Sequence, residues 1–177
     1  MAASYDFVQL DVFTQTPLAG NPLAVFTDAR GLTNKQMQAL AREMNLSETT
    51  FILLREPELE ATCGKRVRIF TTREELPFAG HPTLGTALYL YNIYSTAETA
   101  PGEIILDLNV GKIPVRFTAD STRARNNRAE GDLFGEMRQR NPEFGAVLPL
   151  EDVARAIGID QRDTGPRRLR IIFAEPR

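Results

Sequence analysis

Along the first 120 residues, apolar and polar positions alternate in short bursts rather than long blocks. Runs rich in β-branched and aromatic residues occur at 5–13 (YDFVQLDVF), 23–26 (LAVF), 49–54 (TTFILL), 67–70 (VRIF), 104–108 (IILDL) and 113–117 (IPVRF). Several are bounded by Gly, Pro or Asn, so each predicts a strand. The period changes at LTNKQMQALAREMN, where Met37, Leu40, Ala41 and Met44 fall at i, i+3, i+4 and i+7 and predict an amphipathic helix. Its start is well marked. Thr33 with Gln36 three residues on makes a capping box, and Leu32 with Met37 makes a hydrophobic staple.

A second helix is predicted just after His81, with Pro82 at the first helical position, where a missing N–H costs nothing. Leu84, Ala87, Leu88 and Tyr91 repeat at helical spacing, while Leu90 and Ile93 lie off that stripe. More than one face is therefore apolar, as expected of a helix walled in by strands. Residues 119–131 (ADSTRARNNRAEG) have no periodic apolar face and read as a linker. Beyond them the pattern predicts a strand at 133–138, a helix from about 150 with Leu150, Val153, Ala154 and Ile157 on one face and Gly158 as its C-cap, and a strand at RIIF (170–173). The expected organisation is a domain over 1–118, a linker over 119–131 and a partial second domain over 132–177. Roughly 50 residues are few for an independent core, so this tail is expected to pack on the first domain, to pack on another chain, or to stay poorly ordered.

Composition narrows the function classes. With 42% apolar residues, 25% charged residues and a net charge of -2 over 177 residues, the chain lacks the basic excess of a nucleic-acid protein. Cys63, the only cysteine, has no intramolecular disulfide partner, and the opening MAASYDFVQLDVF lacks the features of a secretory signal. An intracellular, cytoplasmic protein is expected. No stretch approaches the roughly 18 apolar residues of a membrane span. One histidine and one cysteine do not make a usual structural zinc set, and no GxSxG elbow supports a serine triad.

The single histidine lies in LPFAGHPTLG (76–85), which echoes TPLAGNPLAV (16–25): Pro17, Ala19, Gly20 and Pro22 match Pro77, Ala79, Gly80 and Pro82, and Asn21 stands where the second copy has His81. Two readings stand. The first-turn amides from Gly80 to Leu84 form an anion site with His81 at its lip; or His81 only caps the helix, as the GNP echo suggests. Glu48, in NLSETTF, likewise has two readings: a partly desolvated general acid or base at a strand edge, or a solvated carboxylate. Glu74, Glu75 and Asp11 are similarly ambiguous, Met37 and Met44 read as core, and Cys63 reads as an inert loop or edge residue.

Three blocks decide between these readings. DVFTQTPLAGNPLAVF (11–26), AREMNLSETTF (41–51) and RIFTTREELPFAGHPTLGTA (68–87) together closely resemble the phenazine-biosynthesis PhzF-like family, which has the diaminopimelate epimerase fold; EMRQRNPEFGAVLPLEDVARAIGID (136–160) resembles the start of that family's second domain. The resemblance implies an α+β protein: a curved mixed β-sheet wrapped around a central helix, the one after His81, repeated in a second half, with the active site in the cleft between. It further implies a homodimeric isomerase, without cofactor or metal, that moves a proton on a small unsaturated carboxylic acid, a dihydro-hydroxyanthranilate in the named member. On the same grounds Glu48 matches the proton-transferring carboxylate and His81 the active-site histidine. Gly80 and the amides after it, with Thr83 and Leu84, match the substrate-carboxylate site, and Asn21 and Ser47 join the expected substrate-binding set. Ala79 stands where the two-cysteine epimerases of this fold carry a thiol, which argues against a two-thiol mechanism.

The second half departs from the family. Its acidic residue and glycine-rich loop have no counterpart in 136–177, and RRLRIIFAEPR does not read as the family's continuation. A chain truncated or altered within its second half is therefore expected. The rival expectations are a catalytically silent half-fold that binds a small acid or a protein partner, and an assembly unit whose missing half is supplied by dimerisation.

Overall fold

The structure, a computed structural model, describes residues 4–96, 99–119, 133–139, 141 and 144–160. In chain order the elements are β1 (Phe7–Val12), β2 (Asn21–Phe26), α1 (Asn34–Met44), β3 (Thr49–Leu53), α2 (Pro57–Cys63), β4 (Lys65–Phe70), β5 (Glu75–Leu76), α3 (Gly80–Tyr94), β6 (Glu103–Leu108), β7 (Gly111–Ala119), β8 (Leu133–Met137) and α4 (Leu150–Ile157). The expected linker and the RIIF strand lie outside the described residues, apart from Ala119, which ends β7. Among the described residues no helix is long and apolar enough to cross a membrane.

The strands form one mixed sheet in the order β1-β2-β3-β4-β6-β7-β8, with β5 paired to β4 off that path. Pairing is parallel at β2/β3 and β4/β6 and antiparallel elsewhere. Laid flat, seven strands about 4.8 Å apart would span roughly 29 Å. Yet α3, about 10 Å wide, touches β1, β2 and β3 on one side and β6 and β8 on the other. The sheet is therefore curled around the helix, which is the α+β architecture expected.

Two apolar clusters fill its faces. One joins α3 to the sheet through Leu23, Val25, Ile52, Val67, Ile69, Ala87, Leu90 and Leu106, and the other packs α1 on the opposite face through Phe26, Met37, Ala41, Phe51 and Phe70. Alternation along β3 accounts for the division, since Ile52 serves the first cluster and Phe51 the second. Helix α1 carries its capping box as expected, with the Gln36 amide bonding the Thr33 hydroxyl at 3.3 Å and the Gln36 side chain accepting from the Thr33 amide at 2.8 Å.

Several boundaries move for physical reasons. β1 stops at Val12, because Phe13 has φ 65° and no strand continues through a left-handed residue. Helix α3 begins at Gly80 rather than Pro82, so His81 is helical and Pro82 is third in the first turn. A proline is harmless anywhere in that turn, where no amide has an intrahelical acceptor. Leu90, off the expected stripe, is 1% exposed, whereas Ile93 is exposed. β8, assigned from sequence to the second segment, pairs along β7 from Val115↔Met137 to Ala119↔Leu133. The first compact unit therefore runs past 118, to Gln139. Cys63 ends a short helix, α2, that was not expected. In the second unit, α4 buries Val153 and Ala154 but exposes Leu150 and Ile157, and Gly158 caps it at φ 73°.

One polar contact sits inside the α3 core. The hydroxyls of Thr50 and Thr86, both fully buried, bond at 2.9 Å, so each satisfies the other. Beside it, a methyl group added at Gly85 would lie 2.5 Å from Leu23 Cδ2 and 2.7 Å from Val12 Cγ2.

Gly85→Ala should destabilise the chain by about 1–3 kcal/mol through overpacking, read as a lower urea midpoint with unchanged slope. Thr86→Val should cost about 1–3 kcal/mol by orphaning the Thr50 hydroxyl, and adding Thr50→Val should recover much of that loss. Losses that simply add would show the two hydroxyls to be independent.

Candidate active site

Glu48 reaches the site through a chain reversal. Helix α1 ends at Asn45, whose backbone is left-handed (φ 51°) and whose amide donates to the Ala41 carbonyl at 3.2 Å. Three residues later Glu48 stands directly before β3. His81 arrives from the other direction, on the first turn of α3. The Thr50–Thr86 bond keeps these two starts aligned. Glu48 lies two residues before Thr50 in extended chain leading into β3, and His81 and Thr86 are five apart on a helix, which amounts to about 7 Å along either segment.

His81 Nδ1 lies 2.9 Å from Glu48 Oε2, and His81 Nε2 lies 3.1 Å from the backbone carbonyl of Asn21. The imidazole is 10% exposed and the Glu48 side chain 20%. A carbonyl only accepts, so Nε2 must carry a proton. In a neutral ring Nδ1 is then an acceptor, and its bond to Glu48 requires a protonated carboxyl; in a charged ring Nδ1 donates to a carboxylate. Either way one proton lies on the Glu48–His81 line. Glu48 Oε1 has no hydrogen-bond partner among the described residues. The two GxP phrases thus meet in space, because the Asn21 of the first supplies the carbonyl that orients the His81 of the second.

The other expected residues divide. Asn21 contributes its backbone to this contact. Ser47 is exposed beside Glu48. Not all the amides from Gly80 to Leu84 are open to an anion: the Thr83 amide and hydroxyl both donate to the Ala79 carbonyl, at 3.3 and 2.6 Å, and Pro82 has no amide proton. Leu84 donates within the α-helical register. That leaves Gly80 and His81 as the first-turn donors. A methyl group on Gly80 would lie 3.2 Å from Met137 Cε and 3.4 Å from Gln139 Nε2, so residues at the end of β8 reach over it. Leu84 instead lines an adjoining cleft of about 790 Å³, together with Asp11, Phe13, Leu88, Phe117 and Phe134.

His81 neither caps its helix nor stands free, which removes the capping reading. Asp11 is structural, its carboxylate accepting the Leu18 amide at 2.7 Å. Glu75 is paired with Arg68, whose Nε donates at 2.8 Å, and with Asn109 at 2.8 Å. The guanidinium holds its carboxyl below the ordinary carboxylate range. That pair ties β5 to β4 and steadies the segment leading into His81. Glu74 joins a turn, its carbonyl accepting the Thr71 amide at 2.8 Å. The residue that sequence pattern missed is Phe13, 68% exposed, with its ring 6.0 Å from the His81 ring; only its nearness to Gly20 and Asn21 in one quoted block hinted at it.

The chain matches the model of the family described as phenazine biosynthesis-like protein over residues 10–141. It is 48% identical over 157 residues to the trans-2,3-dihydro-3-hydroxyanthranilate isomerase of Pseudomonas chlororaphis, a match covering 88% of this chain and 50% of that protein. It is 42% identical over 154 residues to an uncharacterized isomerase of Mesorhizobium japonicum, covering 86% of this chain and 45% of the other. Among solved structures, a predicted epimerase from Pseudomonas aeruginosa superposes with a TM-score of 0.75 at 33% identity, over 96% of this chain and 56% of that one. A PhzF-family phenazine biosynthesis protein of Bacillus anthracis gives a TM-score of 0.65 at 29% identity, over 89% and 48%. The chain thus spans about half the length of the curated relatives it matches. With a family match over residues 10–141 and the Glu48–His81 pair inside it, this chain belongs to the phenazine biosynthesis-like family.

Proposed function

We propose that this chain is a cofactor-independent isomerase that moves a proton on a small unsaturated carboxylic acid, with Glu48 and His81 as the proton-transferring pair. The observation that carries the reading is the 2.9 Å contact between Glu48 Oε2 and His81 Nδ1, with the far side of the ring held by Asn21. Relatives named as isomerases, among them the Pseudomonas chlororaphis protein, support the reaction type. They also support an acid of the dihydro-hydroxyanthranilate class as the substrate.

In this reading the substrate carboxylate sits at the Gly80 and His81 amides, whose partial positive charge favours an anion. Ser47 and the Asn21 side chain flank it. Glu48 Oε1 removes a proton from an activated carbon: a C–H bond breaks, an O–H bond forms, and the electron pair moves into the conjugated acid. The amides and the His81 side stabilise that charge as it spreads. While held on Glu48 the proton is open to exchange with solvent, and delivering a proton from Glu48 to a different carbon of the conjugated system restores the carboxylate and completes the isomerisation with no redox change. His81 keeps the mobile proton within reach by exchanging it with Glu48. Catalysis is conditional on a completed cleft around the acid's other face.

A substrate acid incubated with the chain in heavy water should acquire deuterium at carbon, and Glu48→Gln should slow that exchange roughly 10²–10⁴-fold, the usual contribution of a positioned general base. Mass spectrometry of the recovered acid reads this directly. Binding without exchange in the wild-type chain would contradict the isomerase reading and leave a silent acid-binding module.

A further inference from the structure

The loop between β1 and β2 holds an unusual set of features around one exposed ring. Phe13 and Leu18 both have left-handed backbones, at φ 65° and 64°, a region that bulky residues rarely occupy without strain. Yet the loop is firmly anchored. Asp11 accepts the Leu18 amide at 2.7 Å, the Thr14 hydroxyl accepts the Thr16 amide at 3.0 Å, and the Ala19 amide donates to the Thr16 carbonyl at 3.2 Å. Gly20 returns so close to β1 that a methyl group there would lie 2.6 Å from the Val12 carbonyl oxygen and 2.6 Å from Thr14 Cγ2. The chain therefore crosses itself where only glycine fits.

Packing within the described residues does not explain this arrangement, because there Phe13 is 68% exposed. What the strained backbone achieves is placement: the ring stands 6.0 Å from the His81 ring, tilted by 47°, at the edge of the cleft lined by Leu84, Leu88 and Phe134. Through His81, which contacts both, Phe13 borders the space next to Glu48 in which a ring-sized acid would sit for proton transfer. Strain held at such a point is characteristic of ligand clamps.

We propose that Phe13 is the specificity-determining platform of this site, its face stacking on the planar conjugated system of the acid and disfavouring saturated acids of the same size. This rests on the proposed proton transfer at Glu48 and His81. The carbon that loses its proton is tetrahedral in the ground state and becomes trigonal as the electron pair delocalises, so a flat face beside the ring suits the conjugated part of the acid and the flattened intermediate still more.

The test compares anthranilate with its saturated counterpart, 2-aminocyclohexanecarboxylate, by calorimetry on the wild-type chain, Phe13→Leu and Phe13→Asn. The wild type should favour anthranilate, and both variants should lose roughly three- to tenfold in anthranilate affinity, the worth of one aromatic pair, with the saturated acid unaffected. Phe13→Asn, whose side chain suits a left-handed backbone, should at the same time melt no lower than the wild type. Equal losses for both acids, unchanged selectivity, or a lowered melting temperature with selectivity intact would overturn the platform and make the ring a packing element. Selective binding without deuterium exchange would sustain the platform and reject the isomerase reading. A wild-type chain that binds neither acid would overturn both.

Discussion

The site depends on one imidazole being held at both nitrogens. A backbone carbonyl at Nε2 accepts and does nothing else, so the Asn21 contact fixes the ring's tautomer and leaves Nδ1 as the nitrogen that faces Glu48. A freely rotating histidine would share its protons with water. Here the ring is nine-tenths covered, and its two partners come from positions 27 residues apart in the chain, Asn21 opening β2 and Glu48 preceding β3. Because β2 and β3 are parallel neighbours, from Ala24↔Thr49 to Phe26↔Phe51, their N-terminal ends lie on the same side of the sheet. That geometry makes a two-sided grip on a third element possible.

The third element is α3, and the fold is arranged to admit it. A helix surrounded by a curled sheet has little room, so small residues face the closest strands: Gly85 against Leu23 and Val12, Ala87 fully buried, and Thr86 bonded to Thr50. These contacts set the height of α3 in the sheet, and the height places His81 level with Glu48. The conflict between tight packing and a polar site is resolved by separating them along the helix. Its first turn carries His81 and its polar contacts, and its later turns carry Leu90 and the apolar core. Among the described residues the two bulky side chains on left-handed backbones, Phe13 and Leu18, both lie in the β1–β2 loop, away from the α3 core.

Much of this was legible in the chain. The capping box at Thr33 and Gln36 marked α1 because a cap is a local interaction, written in residues three apart. Resemblance in three sequence blocks pointed to Glu48 and His81, and the structure brings them together. The misses are equally physical. Helix α2 buries none of its residues, so PELEATC offers no apolar stripe; only Pro57 at its start and the first-turn acids Glu58 and Glu60 hinted at it. Strand β5 has two residues, too few for a period. The start of α3 was misplaced because proline marks a first turn without saying which position it takes. Phe13 escaped because nothing in periodicity reports a positive φ, and the contact of the Asn21 carbonyl with His81 escaped because a backbone contact leaves no mark in the residue type.

Because the chain has a single histidine, the nitrogen resonances of its one imidazole report the central claim without ambiguity. Nitrogen-15 spectra should show Nε2 carrying a proton, as its contact with the Asn21 carbonyl requires. A neutral ring carrying its proton on Nδ1, with Nε2 bare, would mean that the Asn21 carbonyl does not hold it, and the account of the Glu48–His81 proton line would fail.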